Sequence, residues 1–259
     1  MASHWQRAWI TGASMGIGRE MALLLAEKKV HVALSARSKD KLNAMAQNSD
    51  RLSAFPLDVT DRAAVGATVG QIEQDVGPLD LAILNAGILE FVELDNFDAS
   101  IFEQAMRVNY LGVIYALEAL LPRMIERGAG HIVLIGSVSG YRGMPKAAAY
   151  GPTKAALINL AESLKLDAEP YGIKISIVNP GYVDTPMTEK NDFEMPFIIS
   201  AEKAARKIIS GLERDKFEIA FPVRLVRPMR MLRRLPDGLF FWIVRRFIAK
   251  MWEAPPEQK

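Results

Sequence analysis

The chain has 259 residues, 50% hydrophobic and 24% charged, a length that suits one large domain burying roughly three quarters of its unfolded surface. It contains no Cys, which excludes disulfides, thiolate metal sites, iron–sulfur clusters and a Cys nucleophile. Its three His residues (His4, His31, His131) lie too far apart for an HExxH metal site, and a net charge of +2 gives no argument for nucleic acid as a partner.

The opening ten residues, MASHWQRAWI, hold no apolar run of the length a removable leader needs, and no stretch of eighteen apolar residues follows. The expectation is a cytoplasmic protein with no membrane-spanning helix. Short apolar runs at 8–11, 30–36, 52–57, 79–85, 131–137, 173–179 and 217–221 alternate with helix-period stretches at 16–28, 38–47, 60–76, 100–127, 148–171 and 200–213. The first six runs are nearly continuous in apolar residues, which is how parallel strands covered on both faces read. Ser38 and Thr60 are candidate N-caps, and Gly128 and Gly172 stand where helices should end. Repeated β–α–β units predict an α/β fold: one Rossmann-type, doubly wound parallel sheet of about seven strands over residues 1–221.

Residues 222–259 read as a separate extension. Residues 222–250 carry eight basic side chains against the single acid Asp237, so the segment is +7 and the rest of the chain −5. On a helical wheel Arg224, Arg227, Arg230, Arg233 and Arg234 share one half. Leu225, Val226, Met229, Leu232 and Leu235 fall mostly on the other, with Val223 and Met231 as exceptions. Pro228 should kink this helix, Pro236-Asp237-Gly238 should end it, and an aromatic run from Leu239 to Val244 follows. A basic amphipathic helix with aromatic neighbours suits an anionic membrane surface; subunit packing is the competing reading.

The first strand ends in Thr11-Gly12-Ala13-Ser14-Met15-Gly16-Ile17-Gly18 and a helix opens at once. Gly12 permits a tight turn, Gly16 lets the backbone approach a pyrophosphate, and Gly18 allows close helix–strand packing. The GxxxGxG spacing is not a P-loop, and no Lys-Ser or Lys-Thr follows, which argues against a nucleoside triphosphatase. After the second strand, where an NAD site wants an acid, stands Arg37. A guanidinium suits a 2′-phosphate, so NADP(H) is expected in preference to NAD(H).

Tyr150 and Lys154 lie four apart, on one face of a predicted helix, and Ser137 ends the fifth strand at the sheet edge where such folds hold ligands. Together with TGASMGIG, Asp58-Val59-Thr60, Asn85-Ala86-Gly87, Asn109, Pro180-Gly181 and Thr185, in this order, the chain resembles the short-chain dehydrogenase/reductase family over residues 7 to about 221. The resemblance implies that Tyr150 is the general acid for ketone reduction and the base for alcohol oxidation. It implies that Lys154 lowers the Tyr150 pKa and holds the nicotinamide ribose, that Ser137 holds the substrate oxygen, and that Asn109 keeps a water-linked proton path to Lys154. Cofactor contacts carry over to Gly12, Ser14, Met15, Gly16, Ile17 and Gly18 of the turn, to Arg37, to Asp58 (adenine) and Val59, and to Asn85, Ala86 and Gly87. The nicotinamide end falls to Tyr150, Lys154, Pro180, Gly181, Val183 and Thr185. Members of the family are usually homodimers or homotetramers.

Two positions depart from the family pattern. Many NADP-using relatives have a basic residue just before the second glycine; here it is Met15, so the NADP preference rests on Arg37. Pro152 follows Tyr150 by two, which places the helix start just before Tyr150. The long link at 182–199 offers Tyr182, Met187 and Phe193, which with Tyr141 and Met144 suit an apolar substrate pocket. The stretches GIGRE and HVALSARSK and the tail resemble hydroxysteroid and long-chain keto-lipid members, which implies a lipophilic substrate. Two other readings differ in class: a dinucleotide sensor on the same fold, which has no need of the Tyr–Lys pair, and an epimerase or dehydratase, whose TGxxGxxG turn and larger carboxyl-terminal domain are absent here.

Overall fold

The structure is a computed structural model and describes residues 5–189, 191 and 193–248. His4, Lys250 and the rest of the extension beyond residue 248 lie outside the described residues.

Seven parallel strands form the sheet: β1 (Arg7–Thr11), β2 (His31–Ser35), β3 (Leu52–Ala54), β4 (Leu81–Leu84), β5 (Gly130–Ile135), β6 (Ile173–Pro180) and β9 (Glu218–Phe221), in the order 3-2-1-4-5-6-9. All seven coincide with the predicted runs. The continuous apolar character has the expected cause: β4 is buried at every position, and β1, β2 and β5 at all but the first. The order reverses between β1 and β4, so the connections leaving their carboxyl ends run to opposite faces of the sheet and a crevice opens there.

Helices cover both faces. Helix α1 (Gly16–Glu27), through Met21, Ala22 and Leu25, and α7 (Ala201–Leu212), through Ile208, Ile209 and Leu212, build one core with the sheet. On the opposite face α3 (Arg62–Asp75), α5 (Gly112–Arg127) and α6 (Tyr150–Ala168) enclose Trp9, Val69, Leu120, Leu134 and Leu157. Helix α2 (Lys39–Gln47) follows β2, and α4 (Ala99–Met106) leads through a π turn, Arg107–Leu111, into α5. The combined helix Ala99–Arg127 is long and apolar enough to cross a membrane, with a mean hydropathy of 1.2 over its best window. In this fold, however, Val113, Ala116, Leu117, Leu120 and Met124 are buried against the sheet and α3.

Helix ends follow local chemistry. Gly128 and Gly172 close α5 and the turn after α6 with φ of +64° and +68°, a conformation glycine adopts without a Cβ penalty. Thr60 is not the cap of α3. Asp61 caps it by accepting from the Ala64 N–H, while Asp58 folds back on Thr60, accepting from its N–H at 2.9 Å and its hydroxyl at 2.8 Å. Helix α8 (Val223–Arg233) runs through Pro228, its central residue, unbroken; the carbonyl the proline leaves without a partner belongs to exposed Arg224. A break follows, then α9 (Asp237–Ile243) and a π turn, Val244–Ile248. Val226 and Leu232 are buried and Val223 and Met231 exposed, as the wheel places them.

Candidate active site

The crevice at the carboxyl edge of the sheet is a cavity of about 750 Å³. At one end lies the glycine turn. Gly12 and Gly16 have φ of +67° and +54°. A Cβ on Gly12 would come within 2.9 Å of the Ala86 backbone, and one on Gly16 within 3.1 Å of Thr185, so both glycines are required by space as well as by conformation. Gly12, Ser14, Met15, Gly16 and Ile17 line the cavity. Gly18 does not: it lies beneath the turn, where a Cβ would stand 2.6 Å from Asn85 Nδ2 and closer still to the Gly12 carbonyl. No side chain caps α1, and its first turn has no acid, so its N-terminal N–H groups face the crevice with the positive end of the helix dipole behind them.

Asn85 locks this turn to β4. Its Nδ2 donates to the carbonyls of Thr11 (3.0 Å) and Gly12 (3.1 Å), and the Asn85 and Ala86 N–H groups donate to the Thr11 hydroxyl at 2.9 and 3.0 Å. The wall beyond is formed by Arg37, Asp58, Val59, Asn85, Ala86 and Gly87. Arg37 is exposed and joins no ion pair among the described residues. The Thr60 N–H first, then its hydroxyl and the nearby Arg37, hold the Asp58 carboxyl below the usual carboxylate range, against the effect of burial.

At the other end Ser137, Tyr150 and Lys154 meet. Ser137 lies two residues past the end of β5, where it caps the short turn Val138–Gly140 by accepting from the Ser139 N–H at 3.1 Å. Tyr150 is the first residue of α6, so Pro152 falls in the first turn, where proline is tolerated. As a whole the Tyr150 side chain is only half-buried, yet burial around its hydroxyl pushes it up to about 12, with a hydrogen bond to Ser137 pulling the other way. Lys154 is buried; its Nζ donates to the Ile135 carbonyl at 2.8 Å and stands 5.5 Å from the centre of the Tyr150 ring. Burial lowers it to about 8. In this structure the Lys154 ammonium donates to a backbone carbonyl, and desolvation of the phenol dominates the Tyr150 value.

Asn109 lies behind the cavity wall rather than on it, at 0% exposure. The π turn aims its amide at Ile88, accepting from its N–H at 2.8 Å and donating to its carbonyl at 3.0 Å; Nδ2 also reaches the Thr153 hydroxyl at 3.2 Å. A Cβ on Gly87 would meet Asn109 Oδ1 at 3.2 Å and Lys154 Nζ at 3.7 Å, so these three residues are neighbours.

Pro180, Gly181, Tyr182, Val183 and Thr185 line the same cavity, as do Met144, Met187 and Phe193. A two-residue pairing of β7 (Val183–Asp184) with β8 (Ile199–Ser200) pins both ends of the link. Phe193 packs edge-on against Tyr182 and Phe91, with ring centres 6.0 and 6.1 Å away, forming an aromatic wall. Tyr141 departs from expectation: it is buried in the core outside the cavity, its hydroxyl donating to Glu218. Phe91, Leu225, Met229 and Ile248, all unforeseen, line the cavity instead. Among the described residues no group of His, Asp and Glu suits a metal ion.

The family model described as short chain dehydrogenase matches residues 6–195. The chain belongs to the short chain dehydrogenase family. It is 33% identical over 93% of its length to an uncharacterized oxidoreductase of Myxococcus xanthus, of which the match covers 97%. It is 35% identical to an uncharacterized oxidoreductase of Staphylococcus haemolyticus, over 79% of this chain and 90% of that one. Among solved structures, a short-chain dehydrogenase from Streptomyces avermitilis superposes with a TM-score of 0.82 at 26% identity, covering 94% and 96% of the two chains. ElxO, described with NADP bound, gives 0.76 at 26% identity over 83% and 97%. The chain is thus a Rossmann-type short-chain dehydrogenase/reductase, and the family model ends at 195, before α7, β9 and the basic segment.

Proposed function

We propose that this protein is an NADP(H)-dependent oxidoreductase that interconverts a ketone and a secondary alcohol on a lipophilic substrate. The observation that carries the reading is one continuous cavity with an anion-binding glycine turn and an unpaired Arg37 at one end, and Ser137, Tyr150 and Lys154 at the other. The chain's own residues suit the cofactor. The α1 N-terminus fits a pyrophosphate, Arg37 fits a 2′-phosphate, and Gly12 and Gly16 leave room that any side chain would fill. ElxO, with its bound NADP, supports the same choice.

Bound there, a nicotinamide supplies or takes the hydride. The protein positions the carbonyl and manages the proton. Ser137 and Tyr150, side by side in the cavity lining, present two hydroxyls to one substrate oxygen. With its hydroxyl held up near 12, Tyr150 keeps its proton at neutral pH, as a general acid for reduction requires. When the substrate oxygen takes that proton, the Lys154 ammonium, 5.5 Å from the ring centre, is the cation near the phenolate left behind. Asn109 keeps Lys154 in register by fixing the Gly87–Ile88 backbone beside it. Phe91, Tyr182, Phe193, Leu225 and Met229 give the substrate end an aromatic and aliphatic lining, which favours a lipophilic carbonyl compound.

The test is NADPH oxidation against steroid, long-chain keto-lipid and small ketone substrates. Tyr150→Phe should lose about 10²- to 10⁴-fold in turnover while binding NADPH as wild type does. Retention of more than half the activity would sink the proposed chemistry. NADPH binding without turnover of any carbonyl would favour the dinucleotide-sensing alternative.

A further inference from the structure

The segment from Val223 to Ile248 has two faces. Its inner face is firmly docked. Val226, Leu232, Phe240 and Val244 are buried. Arg142 donates to the Leu232 carbonyl at 3.0 Å and to the Leu235 carbonyl at 2.6 Å, pairs with Asp237, and stands 3.9 Å over the Phe240 ring. Arg230 pairs with Glu218. The same inner face supplies Leu225, Met229 and Ile248 to the wall of the substrate cavity.

The outer face is aromatic and cationic. Phe241 and Trp242 are each 58% exposed and Phe247 is 57% exposed. Trp242 and Phe247 pack edge-on at 6.0 Å, so the rings form a patch rather than isolated contacts. In the same segment Arg224, Arg227, Arg233, Arg234, Arg245 and Arg246 are exposed and join no ion pair among the described residues, and Arg246 stands 5.3 Å from the Phe247 ring centre. The one acid of the segment, Asp237, is committed to Arg142. Exposed aromatic rings flanked by uncompensated guanidinium groups match the headgroup layer of an anionic bilayer: rings enter the boundary while cations meet phosphate. A second copy of this chain fits less well. A two-fold interface would set the patch against itself and face six unpaired arginines with their own copies.

We infer that this outer face seats the enzyme on an anionic lipid surface, so that the wall made by Leu225, Met229 and Ile248 lies between the bilayer and the cavity. A lipophilic carbonyl compound then passes from lipid to the active site along the segment that holds the protein there. This last step rests on the lipophilic-substrate reading; the docking stands on the surface alone.

Co-sedimentation of the full chain with vesicles tests it, using phosphatidylcholine alone and phosphatidylcholine with about a third phosphatidylglycerol. Binding is expected to the anionic vesicles only and to fall as salt is raised. Arg245→Gln and Arg246→Gln should each weaken it by about fivefold. Phe241→Ser with Trp242→Ser should abolish it, while thermal unfolding and NADPH binding stay near wild type. No pelleting on anionic vesicles at low salt would overturn the inference. So would a light-scattering mass showing that Trp242→Ser converts an oligomer to a monomer, which would assign the patch to a second subunit. Vesicle binding without turnover of any keto-lipid would leave the docking intact and remove the lipophilic-substrate reading.

Discussion

Arg37→Ala separates the two nicotinamide cofactors. The guanidinium is exposed on the cavity wall with no ion pair among the described residues, and the charge it feels there is that of the nearby Asp58. A charge-assisted hydrogen-bond set is worth about 1.5–3 kcal/mol, or roughly ten- to a hundredfold in affinity. Exposure argues for the lower half of that range. Asp58 argues for the upper: its carboxyl is held ionised by Thr60 and feels the Arg37 charge, so removing Arg37 leaves an anion near the position of a 2′-phosphate. NADPH affinity should therefore drop about ten- to a hundredfold, and NADH affinity, with no 2′-phosphate to lose, by less than about twofold. Fluorescence titration of both cofactors into wild type and variant measures this, at one fixed ionic strength because exposed charges are screened over about 10 Å. Equal losses for both cofactors, or a wild type that prefers NADH, would refute the assignment of Arg37 to the phosphate.

Burial holds Lys154 at about 8, below its ordinary 10.5. Between those values the unfolded chain binds more protons than the native one, so native stability rises with pH across that window, and below it the buried ammonium costs the fold about 3 kcal/mol. Lys154→Met gives up one hydrogen bond to the Ile135 carbonyl, worth about 1 kcal/mol, so at neutral pH the variant should be at least as stable to urea as wild type while losing turnover; a loss of more than about 2 kcal/mol would show that Lys154 is a net structural prop. Gly18→Ala forces a Cβ against Asn85 Nδ2 and the Gly12 carbonyl, so it should cost about 1–3 kcal/mol and loosen cofactor binding. Gly66→Ala is its control: nothing lies within 4 Å of that Cβ on α3, and the change should stabilise by about 0.5–1 kcal/mol. Denaturation midpoints that move the same way for both glycines would refute the packing argument.

The sheet was legible because buried parallel strands leave an unbroken apolar signature, as at 131–137, and because Gly128 and Gly172 mark helix ends by conformation alone. The glycine turn and the Tyr150–Lys154 pair are local patterns, readable for the same reason. Features set by distant partners were not. Tyr141 stands four residues past Ser137 and reads as a pocket residue, but Glu218, 77 residues on, takes its hydroxyl and draws it into the core. The π turn around Asn109 depends on a bond to Ile88, 21 residues earlier, and leaves no periodic trace. The cap of α3 was misplaced by one residue because Asp58, Thr60 and Asp61 are interchangeable as cap residues in sequence; only the backbone decides which oxygen faces Ala64. Leu225, Met229 and Ile248 were invisible as cavity residues, since nothing local tells that the tail folds back across the sheet edge.

Glu218 joins the described part of that tail, residues 223–248, to the body of the chain. The carboxylate sits at the start of β9 and accepts from three directions: the Tyr141 hydroxyl just after the Ser137 turn, Asn179 Nδ2 at 2.8 Å just before Pro180-Gly181, and Arg230 in the last turn of α8. One group thus ties together the turn after β5 that carries Ser137, the Pro180-Gly181 part of the cavity lining, and the helix whose Leu225 and Met229 line the same cavity. Burial and the Glu218 bond push the Tyr141 hydroxyl up to about 12, so it remains a donor at neutral pH and the network stays closed. A freely appended tail would need no such connection. The break in composition at residue 222 is therefore a change of surface, from a mildly acidic body to a cationic face, while packing and hydrogen bonding run through it without a boundary.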